Sequence, residues 1–191
     1  MKSQYEKDLN GEMQMLKKYS EILGLPVIVT KDGMKIGTIK DLAFRNDNKG
    51  VVAFIIEKDS HFVKGNIILL RDVRSLGNDA LIIDDPDCLL EFKVLKKTGD
   101  IQEKVMLRGL KIYTHAGDDI GTVQDVFFDY KTGKVEAVQV SDGWVQDILV
   151  GRSILPFFGR VEINNKNILV ENEAVEEMMN TGGGLRSRLE N

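Results

Sequence analysis

The chain has 191 residues, of which 42% are hydrophobic and 29% charged, and its formal net charge is -4. This composition is typical of a globular protein and excludes collagen-like, low-complexity and wholly disordered chains. The negative charge offers no general attraction to nucleic acid or to anionic membrane surfaces. The longest apolar run, Val51 to Ile56, is far shorter than the roughly 20 residues of a membrane-spanning helix, and no charged-then-apolar leader opens the chain. We therefore expect a cytoplasmic protein that does not insert into a membrane.

Residues 1–22 form a polar and charged opening segment. Leu9, Met13 and Leu16 are spaced loosely as a helix would place them. We predict an N-terminal arm or short helix here, outside the repeated part of the chain.

An internal repeat occupies most of the chain after residue 22. Val27–Glu57 aligns without a gap with Lys111–Ser141, and ten of the aligned pairs are identical. Missing such a repeat would lead to the wrong fold, so it takes precedence over local patterns. We expect two similar units, at residues 23–84 and 108–171.

Each unit carries the pattern of a β-protein. Short runs rich in Val, Ile and Phe alternate with turn residues, and helical spacing is absent. Gly33 and Gly117 are equivalent and would supply the positive φ of a tight hairpin turn. A handful of short strands is too few for a sandwich, whereas closure into a barrel removes exposed edges. The sequence predicts a mainly β fold of two tandem small β-barrels with short flanking helices.

Residues 85–107 link the two units. Asp85–Pro86 suits a helix N-cap followed by the first helical residue, and the apolar residues of Cys88–Leu95 fit helical spacing. Those of Leu90–Val94 also alternate with charged residues, as in a strand. We favour a short helix, and the strand stays open as the alternative.

Residues 172–191 close the chain. Asn172 stands before Glu173–Met179, a stretch with acids at the positive end of the helix dipole. Gly182–Gly184 would end that helix. We predict a capped C-terminal helix followed by a mobile tail.

One short motif recurs in the two units, Ile36–Asp41 and Ile120–Asp125, both reading Ile-Gly-Thr-Ile/Val-x-Asp. A glycine inside a strand permits a bend or a close backbone approach, and the aspartate can accept hydrogen bonds from nearby backbone. A functional interpretation would make Asp41 and Asp125 paired catalytic acids. It is the weaker one, because neither carboxylate has a second acid nearby in sequence.

These segments together resemble the PRC-barrel domain, twice in tandem. The matching segments are Gly24–Val29, Asp32–Asp41 and Gly50–Ile56 in the first unit, and Gly109–Thr114, Gly117–Asp125, Thr132–Val135 and Gly151–Pro156 in the second. The resemblance implies a small β-barrel like those of the cytoplasmic part of the photosynthetic reaction centre H subunit and of the ribosome maturation factor RimM. In those relatives the barrel is an interaction module, and no catalytic residues belong to the family pattern. Fold alone supplies no assured function.

Few residues suit metal or nucleophile chemistry. One cysteine excludes an internal disulfide, and Cys88, His61 and His115 lack partners at ligand spacing. The acidic clusters at 84–87 and 118–119 lack the twelve-residue loop of a calcium site. We expect no catalytic, metal or cofactor site, surface or turn histidines, and a buried structural thiol.

A difference between the repeats indicates a covered surface. The strand Val135–Val140 has Glu136 and Gln139 where the first repeat has Val52 and Ile55. The first-repeat strand therefore needs apolar neighbours on both faces. The opposite barrel, the linker, an arm and another subunit are candidate covers, with packing within the chain favoured.

Three aromatic residues are candidate partner contacts beside Val52 and Ile55. Trp144 lies in a predicted loop at 141–147, and Phe157 and Phe158 follow a predicted strand. Exposed aromatics are common interface anchors. For the two phenylalanines, core packing is an equally good interpretation.

The resulting hypothesis is a non-catalytic cytoplasmic module that binds another protein or a second copy of itself. The alternative is an RNA-processing or ribosome-assembly role by analogy with RimM, for which a contiguous basic patch is required. Lys17–Lys18 and Lys96–Lys97 are too short to form one alone, so nucleic acid is an unlikely partner. An enzyme or cofactor carrier would need a polar pocket that these residues do not indicate.

Overall fold

A computed structural model describes residues 15–45, 50–59, 64–97, 101–102, 107–141, 153–164 and 166–180. The chain divides into two compact units. The first-repeat unit comprises 19–105 and 130–134, and the second-repeat unit comprises 1–18, 106–129 and 135–191. Each is described by itself.

The first-repeat unit is built on a seven-stranded sheet. Its strands are β2 (Pro26–Val29), β3 (Lys35–Arg45), β4 (Val51–Lys58), β5 (Ile67–Leu69), β6 (Val73–Leu76), β7 (Leu81–Ile83) and β8 (Ile101–Gln102). The order is β5-β4-β3-β2-β7-β6, with β8 paired to β3. The two ends of this order, β5 and β6, are consecutive in the chain and joined by the 3-10 turn Leu70–Asp72.

The second-repeat unit has an equivalent sheet. Its strands are β1 (Leu16–Lys18), β9 (Lys111–Thr114), β10 (Asp119–Asp129), β11 (Val135–Ser141), β12 (Ser153–Pro156), β13 (Glu162–Ile163) and β14 (Asn167–Val170). The order is β12-β11-β10-β9-β14-β13, with β1 paired to β10. The prediction of a mainly β fold with two small barrels is confirmed.

Bulges between the longest strand and its neighbour curl each sheet. The register of β3 against β4 shifts between Ile39 and Asp41 and again between Ala43 and Phe44. The register of β10 against β11 shifts at the equivalent places, after Val123 and after Phe127. A bulge bends its strand and increases the local twist, which lets a small sheet curl around its core. The predicted turn glycines Gly33 and Gly117 have φ of 70° and 99°, which confirms that prediction.

Branched aliphatic residues and phenylalanine fill both cores. Fully buried in the first-repeat unit are Val27, Val29, Ala53, Phe54, Ile67, Ile68, Leu81 and Ile83. Fully buried in the second-repeat unit are Ile112, Phe128, Val138, Leu155, Ile168, Val170 and Ala174. Alternation of such residues along the strands is the periodicity from which the β fold was predicted.

The N-terminal segment, predicted as an arm or short helix, contains a short strand and a short helix. Leu16–Lys18 forms β1, antiparallel to β10 with Lys17 opposite Phe128, and the short helix α1 follows at Tyr19–Ile22. Three residues carry no strand periodicity of their own. Their conformation is decided by the edge of β10, which offers unpaired backbone groups.

The linker and the tail contain the remaining helices. Asp85 accepts a hydrogen bond from the Asp87 amide at 2.9 Å and so caps the 3-10 turn Pro86–Cys88. Helix α2 spans Phe92–Lys97 and helix α3 spans Asn172–Asn180. Within the ranges the structure describes, no helix is long and apolar enough to cross a membrane.

Candidate partner-binding surface

The outward side of the first-repeat sheet carries an apolar patch. The register places Ala43, Ala53 and Leu69 in one row across three strands. Ala43, Ala53 and Ile67 form a buried cluster, against which partly buried apolar residues pack. We name those residues the linker-side patch: Val52, Ile55, Leu69, Leu90 and Phe92. Two of its members, Leu90 and Phe92, come from the linker.

The linker is held on this sheet by backbone hydrogen bonds. The Leu90 amide donates to the Ile67 carbonyl at 2.9 Å, and the Leu90 carbonyl accepts from the amides of Asn66 at 2.9 Å and Ile67 at 3.0 Å. A Cβ on Gly65 would lie 2.6 Å from the Leu90 backbone, so only glycine permits this approach. The linker is therefore the cover that the apolar residues of β4 required.

An open groove lies beside the patch, with a cavity volume of about 620 Å³. We name it the lysine groove; its lining residues are Ile56, Lys58, Lys64, Gly65, Asn66, Glu91, Phe92 and Lys93. The three lysines and Glu91 are exposed, whereas Phe92, a member of the patch, is half-buried. The groove thus joins an aromatic wall to a cluster of cations.

The charges of all three lysines of the groove act on the carboxylate of Glu91. Glu91 pairs with Lys93. The hydrogen bond from Lys93, then its charge and the charges of Lys58 and Lys64, hold the pKa of Glu91 below its usual value. The sequence did not predict this cluster, because Lys93 lies far along the chain from Lys58 and Lys64 and the three lysines form no basic run.

The other predicted partner contacts have different surroundings. Phe157 is a core residue, 8% exposed, and its amide donates to the Glu136 carbonyl at 2.8 Å. Phe158 is 43% exposed, among the most exposed large apolar residues of the described chain. Trp144 and His61 lie outside the described residues. Of the three aromatic candidates, Phe158 is the one seen at a surface.

The two motif aspartates act in local structure. Asp41 accepts hydrogen bonds from the Leu42 amide at 2.7 Å and from the Tyr19 hydroxyl at 2.8 Å. Asp125 accepts from the Val126 amide at 3.0 Å and lies 3.8 Å from the Lys18 ammonium. Each carboxylate thus secures a strand bulge, since the amide after the aspartate is the donor.

The acidic clusters form ion pairs, and the cysteine is partly shielded from solvent. Asp84 binds Arg74 at 2.7 Å, and Asp119 binds Lys111 at 3.0 Å. Among the described residues, no three His, Cys, Asp or Glu side chains are grouped as a metal site. Cys88 is half-buried, and desolvation, followed by the charge of Asp72, raises its pKa to about 11. The Cys88 thiol therefore stays protonated and is a poor nucleophile at neutral pH.

Comparison with known proteins identifies the two repeats. Residues 15–90 and 106–176 each match the model of the PRC-barrel domain family, and together they make up more than half of the chain. The Uncharacterized protein YrrD of Bacillus subtilis (strain 168) is 28% identical over 136 residues, which cover 70% of this chain and 74% of that protein.

Proposed function

The chain belongs to the PRC-barrel family, and from that premise we propose that it is a non-catalytic cytoplasmic module that binds a protein partner through the first-repeat unit. The observation that carries this proposal is the linker-side patch. Its five apolar residues are only partly buried, and they adjoin an open groove with an aromatic wall. Partly exposed apolar residues beside charged ones are typical of protein-binding surfaces.

The chemistry of the polar residues supports a binding role over catalysis. The Cys88 thiol is held protonated, and both motif aspartates are engaged with strand backbone. Catalytic groups instead need polar atoms that are available to a substrate and directed at a shared point where it can lie. The two aspartates accept backbone hydrogen bonds that hold strand bulges.

Two aromatic residues of the second-repeat unit are predicted partner contacts of their own, apart from the linker-side patch. Phe158 offers an exposed aromatic side chain, and Trp144 remains a predicted contact. Replacing Trp144 by Ala is expected to weaken partner capture without unfolding the protein, since large aromatics contribute strongly to interfaces. Unchanged capture would mean that Trp144 does not contact the partner.

The proposal is tested by affinity capture from the native cytoplasm, with nuclease treatment and at two salt concentrations. Wild type is compared with Ile55→Gln, which gives β4 the residue found at Gln139 in the second repeat. Met34→Gln is the matched control, because Met34 is 47% exposed and lies outside the patch. Circular dichroism verifies that all three chains are folded.

A nuclease-resistant protein recovered by wild type and by Met34→Gln, and lost with Ile55→Gln, is the expected result. Light scattering of the same three proteins tells whether that partner is a second copy of the chain. Equal recovery by all three proteins would overturn the proposal. Recovery of ribosomal proteins that disappears with nuclease would overturn it in favour of an RNA-related role.

A further inference from the structure

We propose that the lysine groove binds an acidic peptide segment of the partner, with the peptide's carboxylates on the lysines and one apolar side chain on Phe92. The inference rests on the proposed function, since the peptide is part of a protein partner. It adds the chemistry by which the partner is recognised and assigns it to a particular groove.

The local charge of the groove opposes that of the whole protein. Lys58, Lys64 and Lys93 against Glu91 give the lining a net charge of two positive units, whereas the chain carries -4. Cations gathered in a concave surface attract anions more strongly than the same cations spread over a convex one. The groove therefore selects for negative charge.

Glu91 shows which anion the groove accepts. Its carboxylate already pairs with Lys93, and the charges of Lys58 and Lys64 act on it as well. A glutamate or aspartate of a bound peptide would offer the same group to the same three ammonium ions. Glu91 is then an internal competitor that occupies the place of the ligand's carboxylate.

The walls of the groove favour a peptide over a bare anion. Phe92 presents part of its ring, and the Gly65 position has no side chain between the groove and the Leu90 backbone. An apolar side chain next to an acidic one would contact Phe92 while its neighbour reaches a lysine. A small inorganic ion would leave the aromatic wall unused.

Nucleic acid fits this groove less well than an acidic peptide. Proteins that bind nucleic acid through phosphates commonly make about six to ten contacts to them, and the lining supplies three lysines next to a glutamate. A long polyanion would also meet the negative charge of the rest of the chain. A short peptide that carries two or three carboxylates matches the number of the cations.

The test measures the fluorescence anisotropy of a labelled hexapeptide, titrated with the full chain. In this peptide every second residue is Leu, and the other three are Glu or Asp. A peptide with Gln and Asn in place of the acids is the neutral probe. Lys58→Gln with Lys64→Gln is compared with Lys31→Gln and Lys40→Gln, which remove the same charge from exposed lysines outside the groove. Melting curves verify that both double variants are folded.

Wild type is expected to bind the acidic peptide and not the neutral one, and binding should weaken as salt rises. The groove variant should lose about tenfold in affinity, whereas the control variant keeps the wild-type value. Glu91→Gln should bind about threefold more tightly, because the competing carboxylate is gone. A merely structural role of Glu91 would not produce a gain.

Three results would overturn the inference: equal affinity for both peptides, equal losses in the two lysine variants, or preferential binding of a six-nucleotide single strand. These outcomes are independent of capture by the linker-side patch. If capture depends on Ile55 while the peptide fails to bind, only the groove assignment is wrong. If the peptide binds and capture does not depend on Ile55, the assignment of the partner surface to the patch is wrong and the assignment of the peptide to the groove is supported.

Discussion

The strands β3 and β10 occupy equivalent positions in the two repeats and are both eleven residues long, yet different elements cover the sheets that contain them. In the first-repeat unit the short linker supplies Leu90 and Phe92 to the outward side of the sheet. In the second-repeat unit the nine-residue helix α3 lies against β12 and buries Ala174 and Met178. The same barrel framework therefore carries two different outer surfaces.

The difference explains why an open groove accompanies the first repeat. A segment that ends in the six-residue helix α2 covers only part of the sheet, and the lysine groove opens beside it. In the second repeat even a polar outward residue, Gln139, is 6% exposed. Repetition preserves the barrel core, while the elements outside the repeat determine which surface remains available.

The largest expected loss of stability comes from a core substitution that disrupts one unit and leaves the other folded. Phe128→Ala and Phe44→Ala alter equivalent core residues, 0% and 4% exposed. Each should cost about 3–5 kcal/mol, because a large buried ring leaves a cavity. Hydrogen exchange with mass spectrometry should show lost protection in the unit that carries the substitution. Equal loss in both units would contradict two separate cores.

A smaller loss of stability is expected when either motif glycine is replaced by alanine, and the two losses should differ. A Cβ on Gly37 would lie 2.3 Å from the Glu57 carbonyl oxygen, whereas Gly121 has φ of 134°. Gly37→Ala should cost about 3 kcal/mol through steric overlap. Gly121→Ala should cost about 1–2 kcal/mol through backbone strain. Urea unfolding measures both, and a larger loss for Gly121→Ala would reverse the assignment.

The stability costs of replacing the two motif aspartates should be smaller still. Asp125 is 5% exposed and lies near Lys18, while Asp41 is half-buried and binds Tyr19. Asp125→Ala should cost about 2 kcal/mol and Asp41→Ala about 1 kcal/mol, because an unsatisfied group is more costly in a drier site. Chemical denaturation of the full chain tests the order. A cost for Asp41→Ala equal to that of Asp125→Ala would show that burial does not decide it.

A test of a different kind, of chemical reactivity, reports on the linker cover through Cys88. Its pKa in the folded chain is about 11, against an ordinary value of 9.0 for the thiol. The protonated thiol is thus favoured by folding; this contribution to stability is present below pH 9.0 and is lost as pH rises through about 11. At pH 8 iodoacetamide should react about 100-fold more slowly with the folded chain than with the denatured one. Equal rates would mean that the linker opens freely.

Local patterns were sufficient for most of the fold. The repeat and the alternation of apolar residues predicted two β units, and Gly33 and Gly117 marked their first hairpins. Asp85–Pro86 marked the capped turn that opens the linker. The linker itself is mixed, with an extended bridge at Leu90 and a helix from Phe92, so both interpretations held in part.

The candidate site was only half predictable. Val52 and Ile55 were identified because β4 is apolar on both sides, which required a cover. The lysine groove was not, since Lys58, Lys64 and Lys93 approach one another only when Leu90 pairs with Ile67. Phe157 and Phe158 could not be told apart by sequence, because the position where β12 ends decides which ring is buried.

The sequence by itself determined the family, the duplication, the strand pattern and the turns, because these depend on residue periodicity and on glycine and proline at fixed offsets. Tertiary structure decided the strand β1, the cover on each sheet and the gathering of three lysines around one glutamate. Each of these joins residues far apart in the chain. Such contacts form only after the sheets provide edges and faces to receive them, and no local pattern records them.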